Sequence, residues 1–458
     1  MKKYDVIVVG GGAGTKLVGN PADKGLKVAV IEELKLGGTC LNRGCIPSKM
    51  LIHVADVAST INRAHRYDLK ITSEPEVFFT NLVRYVNQTI DKESDDIAEA
   101  YNRHPNIDFY NSRARFKSNT ELEVDGEILT SDKIVIPVGA SAAIPENIEG
   151  LNQVPYMTYT EALRNEAMPE KMIVIGGGYI AAELGYFYSA LGVDTTFLVR
   201  SCMLRREDLD VQAEFQKAFH KYHDVRIGAI PKKVSFDHGK YRVTYLDTHN
   251  NEYTIESDAL LVATGVKANT ENLGLENTDI ELDERGFIKV DDHLQTTVDG
   301  IYSFGDSIGR ELFRHTANFE GEYLADQLFG DGPKKPLDYS PVPHAVFANP
   351  QIGGVGKTEQ DLQSEGVDYV SGLNPYAKSA MGMALRSEFG FCKLLFDRAT
   401  KKLLGGHIIG EEASNMIHTV IAYMNMGATL DDMLSTIYIH PALPEIVRNA
   451  ARIARKSL

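Results

Sequence analysis

The sequence predicts an α/β protein made of two related parallel-sheet units and a C-terminal α+β segment. Three observations predict it. A strand, a glycine-rich turn, a helix and a second strand open the chain; the same order returns from Lys171; and from about Pro341 the pattern changes to short alternating strands followed by a helix. The 458 residues suit roughly three domains.

In the first unit, residues 4–9 form a short apolar strand, followed by Gly10-Gly11-Gly12-Ala13-Gly14-Thr15. A helical stretch and a strand over 27–31 come next, ending in Glu32. Glycines in this order let the backbone approach a pyrophosphate at a helix N-terminus, and an acid about 20 residues on accepts hydrogen bonds from ribose hydroxyls. Thr15 departs from the usual third glycine, which predicts looser packing of that helix on its strand.

Next comes Gly37-Gly38-Thr39-Cys40-Leu41-Asn42-Arg43-Gly44-Cys45-Ile46-Pro47-Ser48-Lys49. Residues 41–44 read as a loop short enough to close a disulfide, and Gly44 relieves the crowding of so small a ring. Pro47 suits the first turn of a helix continuing through Lys49. Cys45 then lies near that helix's positive end, which favours the thiolate, and Lys49 stands one turn on. The alternative is a structural disulfide or two buried thiols. Only four cysteines occur in the chain, and in a reducing compartment a close pair is more often catalytic.

Residues 133–139 read as a buried strand ending in a tight turn at Gly139. The second unit begins at Lys171, with a strand over 172–175 and then Gly176-Gly177-Gly178-Tyr179-Ile180-Ala181, opening a helix that carries Glu183. The strand Asp194–Val199 ends in Arg200, with Arg205 and Arg206 shortly after. An NAD site places a carboxylate at that point; guanidinium groups suit a 2′-phosphate instead, so NADPH is favoured over NADH. A solvated basic turn is the plainer alternative. Residues 260–265 form another buried strand, ending at Gly265, and both it and 133–139 return the chain from one unit to the other. The strand over 300–306 ends in Asp306, which taken singly reads as a turn or cap residue.

Beyond Pro341, strands over 345–347, 353–356, Phe391–Asp397 and 403–409 precede a helix over 413–426. The closing Ile439-His440-Pro441-Ala442-Leu443-Pro444-Glu445 puts an imidazole and a carboxylate in one turn, where the carboxylate fixes the tautomer and raises basicity. Alone, His440 reads as a structural histidine.

Composition bounds the partners. A net charge of −15 speaks against nucleic acid. No apolar run approaches the roughly 20 residues of a membrane helix. Asp5 and the glycines at 10–12 interrupt the opening apolar run, so it does not read as a signal peptide and a cytoplasmic chain is expected.

Together these residues resemble the FAD-dependent pyridine nucleotide–disulfide oxidoreductases, the family of glutathione reductase, dihydrolipoamide dehydrogenase, mycothione reductase and mercuric reductase. The likeness spans essentially the whole chain. It looks closest to the mycothione reductase branch, through Lys49-Met50 running into Val54-Ala55-Asp56-Val57-Ala58, through Pro105-Asn106-Ile107-Asp108, through 439–445 and through Thr15.

The resemblance implies two Rossmann-like dinucleotide-binding domains plus a C-terminal α+β dimerisation domain. FAD would occupy 1–149 and 268–337, NAD(P) 150–267, and the interface 338–458. Gly10, Gly12, Gly14, Thr15, Gly38, Thr39 and Gly139 would cradle FAD, with Glu32 on the adenosine ribose, Lys49 near the isoalloxazine and Asp306 on the ribityl chain. Gly176, Gly178, Ala181, Gly265, Arg200 and Arg206 would hold NADPH, Tyr179 swinging aside as a gate, and Glu183 would pair with Lys49. Cys45 would be the charge-transfer thiolate and Cys40 the interchange thiol. His440, oriented by Glu445, would come from the other subunit of a homodimer and carry the proton.

The implied substrate is a low-molecular-weight disulfide of the mycothiol, glutathione or γ-glutamylcysteine type. A mercuric reductase or large thioredoxin reductase would carry a further C-terminal redox pair, and Arg455-Lys456-Ser457-Leu458 has none. Dihydrolipoamide dehydrogenase, a subunit of 2-oxoacid dehydrogenase complexes, is the alternative, disfavoured by Arg200. A redox-responsive flavoprotein regulator is more remote, since a sensor needs no proton-transfer pair.

Overall fold

The computed structural model describes residues 1–73, 75–339 and 341–458. The strand Val6–Val9 pairs in parallel with Val28–Ile31 and Ile134–Val135, and the sheet extends to Ile107–Tyr110 on one side and Ile301–Tyr302 on the other. Val6–Val9 and Val28–Ile31 are buried throughout, as expected of a parallel sheet covered on both faces. The second parallel sheet runs Asp224–Ile227, Asp194–Val199, Lys171–Ile175, Ala259–Val262. A two-stranded antiparallel ribbon, Ala140–Ala142 with Val266–Ala268, carries the chain out of and back into the first region. Gly139 and Gly265 stand at its ends, as the buried-strand readings anticipated.

The helix expected after the first glycine turn is broken. A 3₁₀ turn, Ala13–Leu17, gives way to a single helical turn, Gly19–Asp23. Gly19 is a poor helix former and Pro21 has no N–H to extend the ladder backwards. Thr15 turns its hydroxyl onto the Gly12 carbonyl at 3.0 Å.

The C-terminal region is an antiparallel five-stranded sheet in the order Pro343–Val346, Gln351–Gly356, Leu403–Gly410, Phe391–Asp397, Tyr369–Pro375. Helices Ala413–Asn425 and Glu445–Arg455 bury Ile417, Val420, Ile446 and Val447 in its core. Lys393 ties this sheet to the second one. Its buried ammonium lies 2.8 Å from Asp208, 2.6 Å from Asp210 and 2.6 Å from Glu359. Asp208 also caps the helix Leu209–Tyr222. Among the described residues, no helix is long and apolar enough to cross a membrane.

Candidate active site

A cavity of about 470 Å³ opens beside the first glycine turn. Gly10, Gly12, Glu32, Gly38, Thr39, Cys40, Cys45, Gly139 and Asp306 all line it. The first turn and the cysteine segment touch: Gly38 has φ +61°, and a Cβ there would stand 2.5 Å from the Gly12 Cα. Only glycine permits that approach. Gly14 and Thr15 lie outside the lining; Gly14 fits under the turn against Val8 and Pro137. The Glu32 carboxylate accepts the Gly11 N–H at 2.8 Å and the Leu34 N–H at 2.9 Å, one on each oxygen. That leaves further lone pairs toward the cavity.

Cys40 does not sit in a loop but in a short helix, Gly38–Arg43, and Cys45 starts the long helix Cys45–Asn62. Asn42 makes the difference: its side-chain amide donates to the carbonyls of Lys35, Leu36 and Gly38, winding the segment into a turn. Gly44 joins the two helices, and a Cβ there would meet the Thr39 carbonyl at 2.9 Å. Both sulfurs are free thiols. The contact between the two thiols pulls Cys40 down to about 7, against burial and with the help of the Arg314 and Lys49 cations; the same contact and burial push Cys45 up, against those cations. One proton is shared between two sulfurs, so the ionisation near neutrality belongs to the pair.

Lys49 leaves the same helix toward Glu183, Nζ to Oε2 2.7 Å. The other Glu183 oxygen accepts the Phe347 N–H at 3.0 Å, and Lys49 lies over the Phe347 ring. Asp306 has no hydrogen-bond partner among the described residues. Burial pushes its carboxyl up to about 6, against the pull of Arg314. Arg314, the first residue of the helix Arg314–Phe329, lines the cavity with no ion-pair partner among the described residues. Sequence reading missed it, since an arginine between Phe313 and His315 carries no motif.

The second glycine turn lies at the start of the helix Tyr179–Ala190. Ala181 is buried in the first turn of that helix, and the Gly176 N–H bonds the Leu198 carbonyl. Tyr179 packs its ring on Phe313 and His344, centroids 6.2 Å away in each case. Arg200, Arg205 and Arg206 are exposed beyond the strand Asp194–Val199, and none has a side-chain partner among the described residues.

His440 and Glu445 meet, Nδ1 to Oε2 2.9 Å, and Arg448 holds the other Glu445 oxygen at 2.6 Å. Burial raises the Glu445 carboxyl, but its bonds from His440, Ala442 and Arg448 outweigh this and hold it below its ordinary range. The imidazole is 70% exposed and its Nε2 has no partner among the described residues. It lines no part of the cysteine cavity. Within one chain, then, the structure groups every expected catalytic residue except this pair.

The cavity suits FAD. Its turn leaves Gly12 without a side chain, Glu32 offers acceptors, Asp306 offers a half-buried carboxyl without a partner among the described residues, and both sulfurs line it.

Comparison with known proteins agrees. A family described as "Pyridine nucleotide-disulphide oxidoreductase" matches residues 4–321, and its dimerisation domain matches 342–451. Mycothione reductase of Mycobacterium tuberculosis is 34% identical over 465 residues, covering 98% of this chain and 99% of the relative. Mitochondrial dihydrolipoyl dehydrogenase of Dictyostelium discoideum is 32% identical, covering 98% and 94%. Mercuric reductase of Staphylococcus aureus is 31% identical, covering 98% and 82%. The HOCl-induced flavoprotein disulfide reductase RclA of Escherichia coli, solved as a Cu(II) complex, superposes with a TM-score of 0.88 at 28% identity over 99% of each chain.

Proposed function

Because the chain belongs to the pyridine nucleotide–disulphide oxidoreductase family, we propose that it is an NADPH-preferring reductase of a low-molecular-weight thiol disulfide. The overall reaction is NADPH + H⁺ + RSSR giving NADP⁺ and two RSH. Members of this family carry FAD and use pyridine nucleotides. FAD, when bound, relays two electrons from the nicotinamide to the Cys40–Cys45 disulfide.

The rest falls to this chain's residues. Gly10, Gly12, Gly38, Thr39, Gly139, Glu32 and Asp306 hold FAD, while Gly14 and Thr15 shape the turn beneath it. Gly176, Gly178, Ala181 and Gly265 hold the nucleotide backbone, Arg200 and Arg206 the 2′-phosphate, and Tyr179 is the lid of the nicotinamide pocket. The Cys40 thiolate attacks one substrate sulfur, forming a mixed disulfide and releasing the first thiolate; Cys45 then attacks Cys40, closing the protein disulfide and releasing the second. His440 Nε2 of the opposite subunit protonates the leaving sulfur, with Glu445 fixing the tautomer. The match to a dimerisation domain supports this sharing, as do Ile437 and Ile439, 96% and 80% exposed beside His440. The expected division, FAD on 1–149 and 268–337, nucleotide on 150–267, interface on 338–458, follows the same assignment.

The observation that carries NADPH is the unpartnered Arg200, Arg205 and Arg206 cluster at the strand end. A panel of glutathione, mycothiol and γ-glutamylcysteine disulfides, plus dihydrolipoamide, assayed with both nicotinamides tests it. Arg200→Glu should shift preference toward NADH by roughly tenfold or more, and equal turnover with both cofactors in the unaltered protein refutes it. The similarity to dihydrolipoyl dehydrogenases keeps dihydrolipoamide oxidation as a second reading, which rapid NAD⁺-dependent turnover would select.

A further inference from the structure

Two residues outside this reading fasten the lid. The Tyr179 hydroxyl donates to Oε1 of Glu207 at 2.6 Å. Glu207 is fully buried, and its Oε2 lies 2.9 Å from Nε2 of His344. The rings of Tyr179, Phe313 and His344 lie within 21° of parallel, each centroid 6.2 Å from the other two. Burial pushes the Glu207 carboxyl up, but the bonds from His344 and Tyr179 outweigh it and keep the group in its charged form. Glu207 directly follows Arg206, whose charge acts on the Tyr179 hydroxyl. One loop therefore carries the basic cluster and the anchor of the lid.

We propose that Glu207 and His344 form a latch that holds Tyr179 closed over the nucleotide site, which makes Glu207 a positioning residue for nucleotide entry. This rests on the lid role given to Tyr179 above. A buried carboxylate stripped of partners is costly. His344 removes that penalty by staying bonded to Glu207 when Tyr179 swings away, so opening breaks one hydrogen bond and leaves no bare charge. Nucleotide binds only the open fraction, and apparent affinity is reduced by that fraction. Loosening the latch therefore tightens nucleotide binding, the opposite of what loss of a ligand contact does.

Calorimetric titration of NADP⁺ into the oxidised holoenzyme tests the latch. Tyr179→Phe keeps the ring stack, removes the hydroxyl and should tighten NADP⁺ binding about tenfold or more. Glu207→Gln should move affinity in the same direction, and the double variant should bind no tighter than the tighter single, since both remove one shared bond. If Glu207→Gln does not fold, Tyr179→Phe decides alone. Unchanged or weaker NADP⁺ affinity in Tyr179→Phe, or additive gains in the double variant, overturns the latch. A wild-type holoenzyme that binds NADP⁺ but reduces no disulfide removes the proposed function instead and leaves this titration decisive.

Discussion

Lys49 Nζ lies 2.7 Å from Glu183 Oε2, joining the helix that starts at Cys45 to the helix that starts at Tyr179. The carboxylate side is largely buried, 12% exposed against 34% for the lysine side chain. Removing the lysine leaves a buried charge with only the Phe347 N–H. Lys49→Met should therefore cost more than Glu183→Gln, by roughly 1–3 kcal/mol in stability, and should slow the reduction of enzyme-bound flavin by NADPH. Thermal melts and rapid-mixing absorbance check both; equal stability loss in the two variants contradicts the buried-charge argument, and unchanged flavin reduction in Lys49→Met places the pair outside the electron path.

The shared proton of the cysteine pair gives a pH signature. With Cys40 at about 7, alkylation of the reduced protein by iodoacetamide should rise about tenfold from pH 6 to pH 8 and then level off. Arg314→Gln withdraws a cation that lowers both thiols, so the midpoint should move to higher pH. Peptide mass spectrometry reads Cys40 directly. A rate still climbing steeply above pH 9 contradicts the shared-proton geometry.

Exposure of His440 away from the cysteine cavity makes a prediction about mixed dimers. Cys45→Ser and His440→Ala homodimers should both be nearly inactive toward disulfide. Co-expression gives hybrids in half the dimers, each with one intact site, so about a quarter of full activity should return. No recovery means that the histidine acts within its own chain.

Asp306 predicts an unusual pH dependence of the flavin-free protein. Its carboxyl is raised by burial to about 6, so the folded state holds the proton more tightly than the unfolded chain. Stability from this group is present below the unfolded value near 4 and is lost as pH rises through 6, amounting to about 3 kcal/mol. Relative to wild type, Asp306→Asn apoprotein should gain stability between pH 5 and pH 8, and it should bind FAD more weakly. Parallel denaturation of both apoproteins at several pH values provides the measurement, and identical pH profiles count against it.

Much of this was legible because glycine turns, apolar strands and the cysteine spacing are local signals. The runs at Val6–Val9 and Lys171–Ile175 specify buried parallel strands by themselves. Less legible were features decided at a distance or by one polar side chain. Asn42 winds a presumed loop into a helical turn. Gly19 and Pro21 interrupt a helix that the fingerprint implied. The strand Tyr369–Pro375 went unread because Ser371, Gly372, Asn374 and Pro375 mask its alternation, although every second residue is buried. Glu207 and His344 are 137 positions apart, and neither belongs to a pattern that pairs them.

The ammonium of Lys393, ringed by Asp208, Asp210 and Glu359, constrains how the molecule works. Two of those acids precede or open a helix of the second parallel sheet, and the lysine and third acid belong to the C-terminal layer. Parting the layers would strip the buried Lys393 ammonium of its three carboxylates, and breaking a buried ion pair is costly. Hinge motion between them is thereby suppressed. The two layers form one stiff frame, and movement within it is left to single side chains.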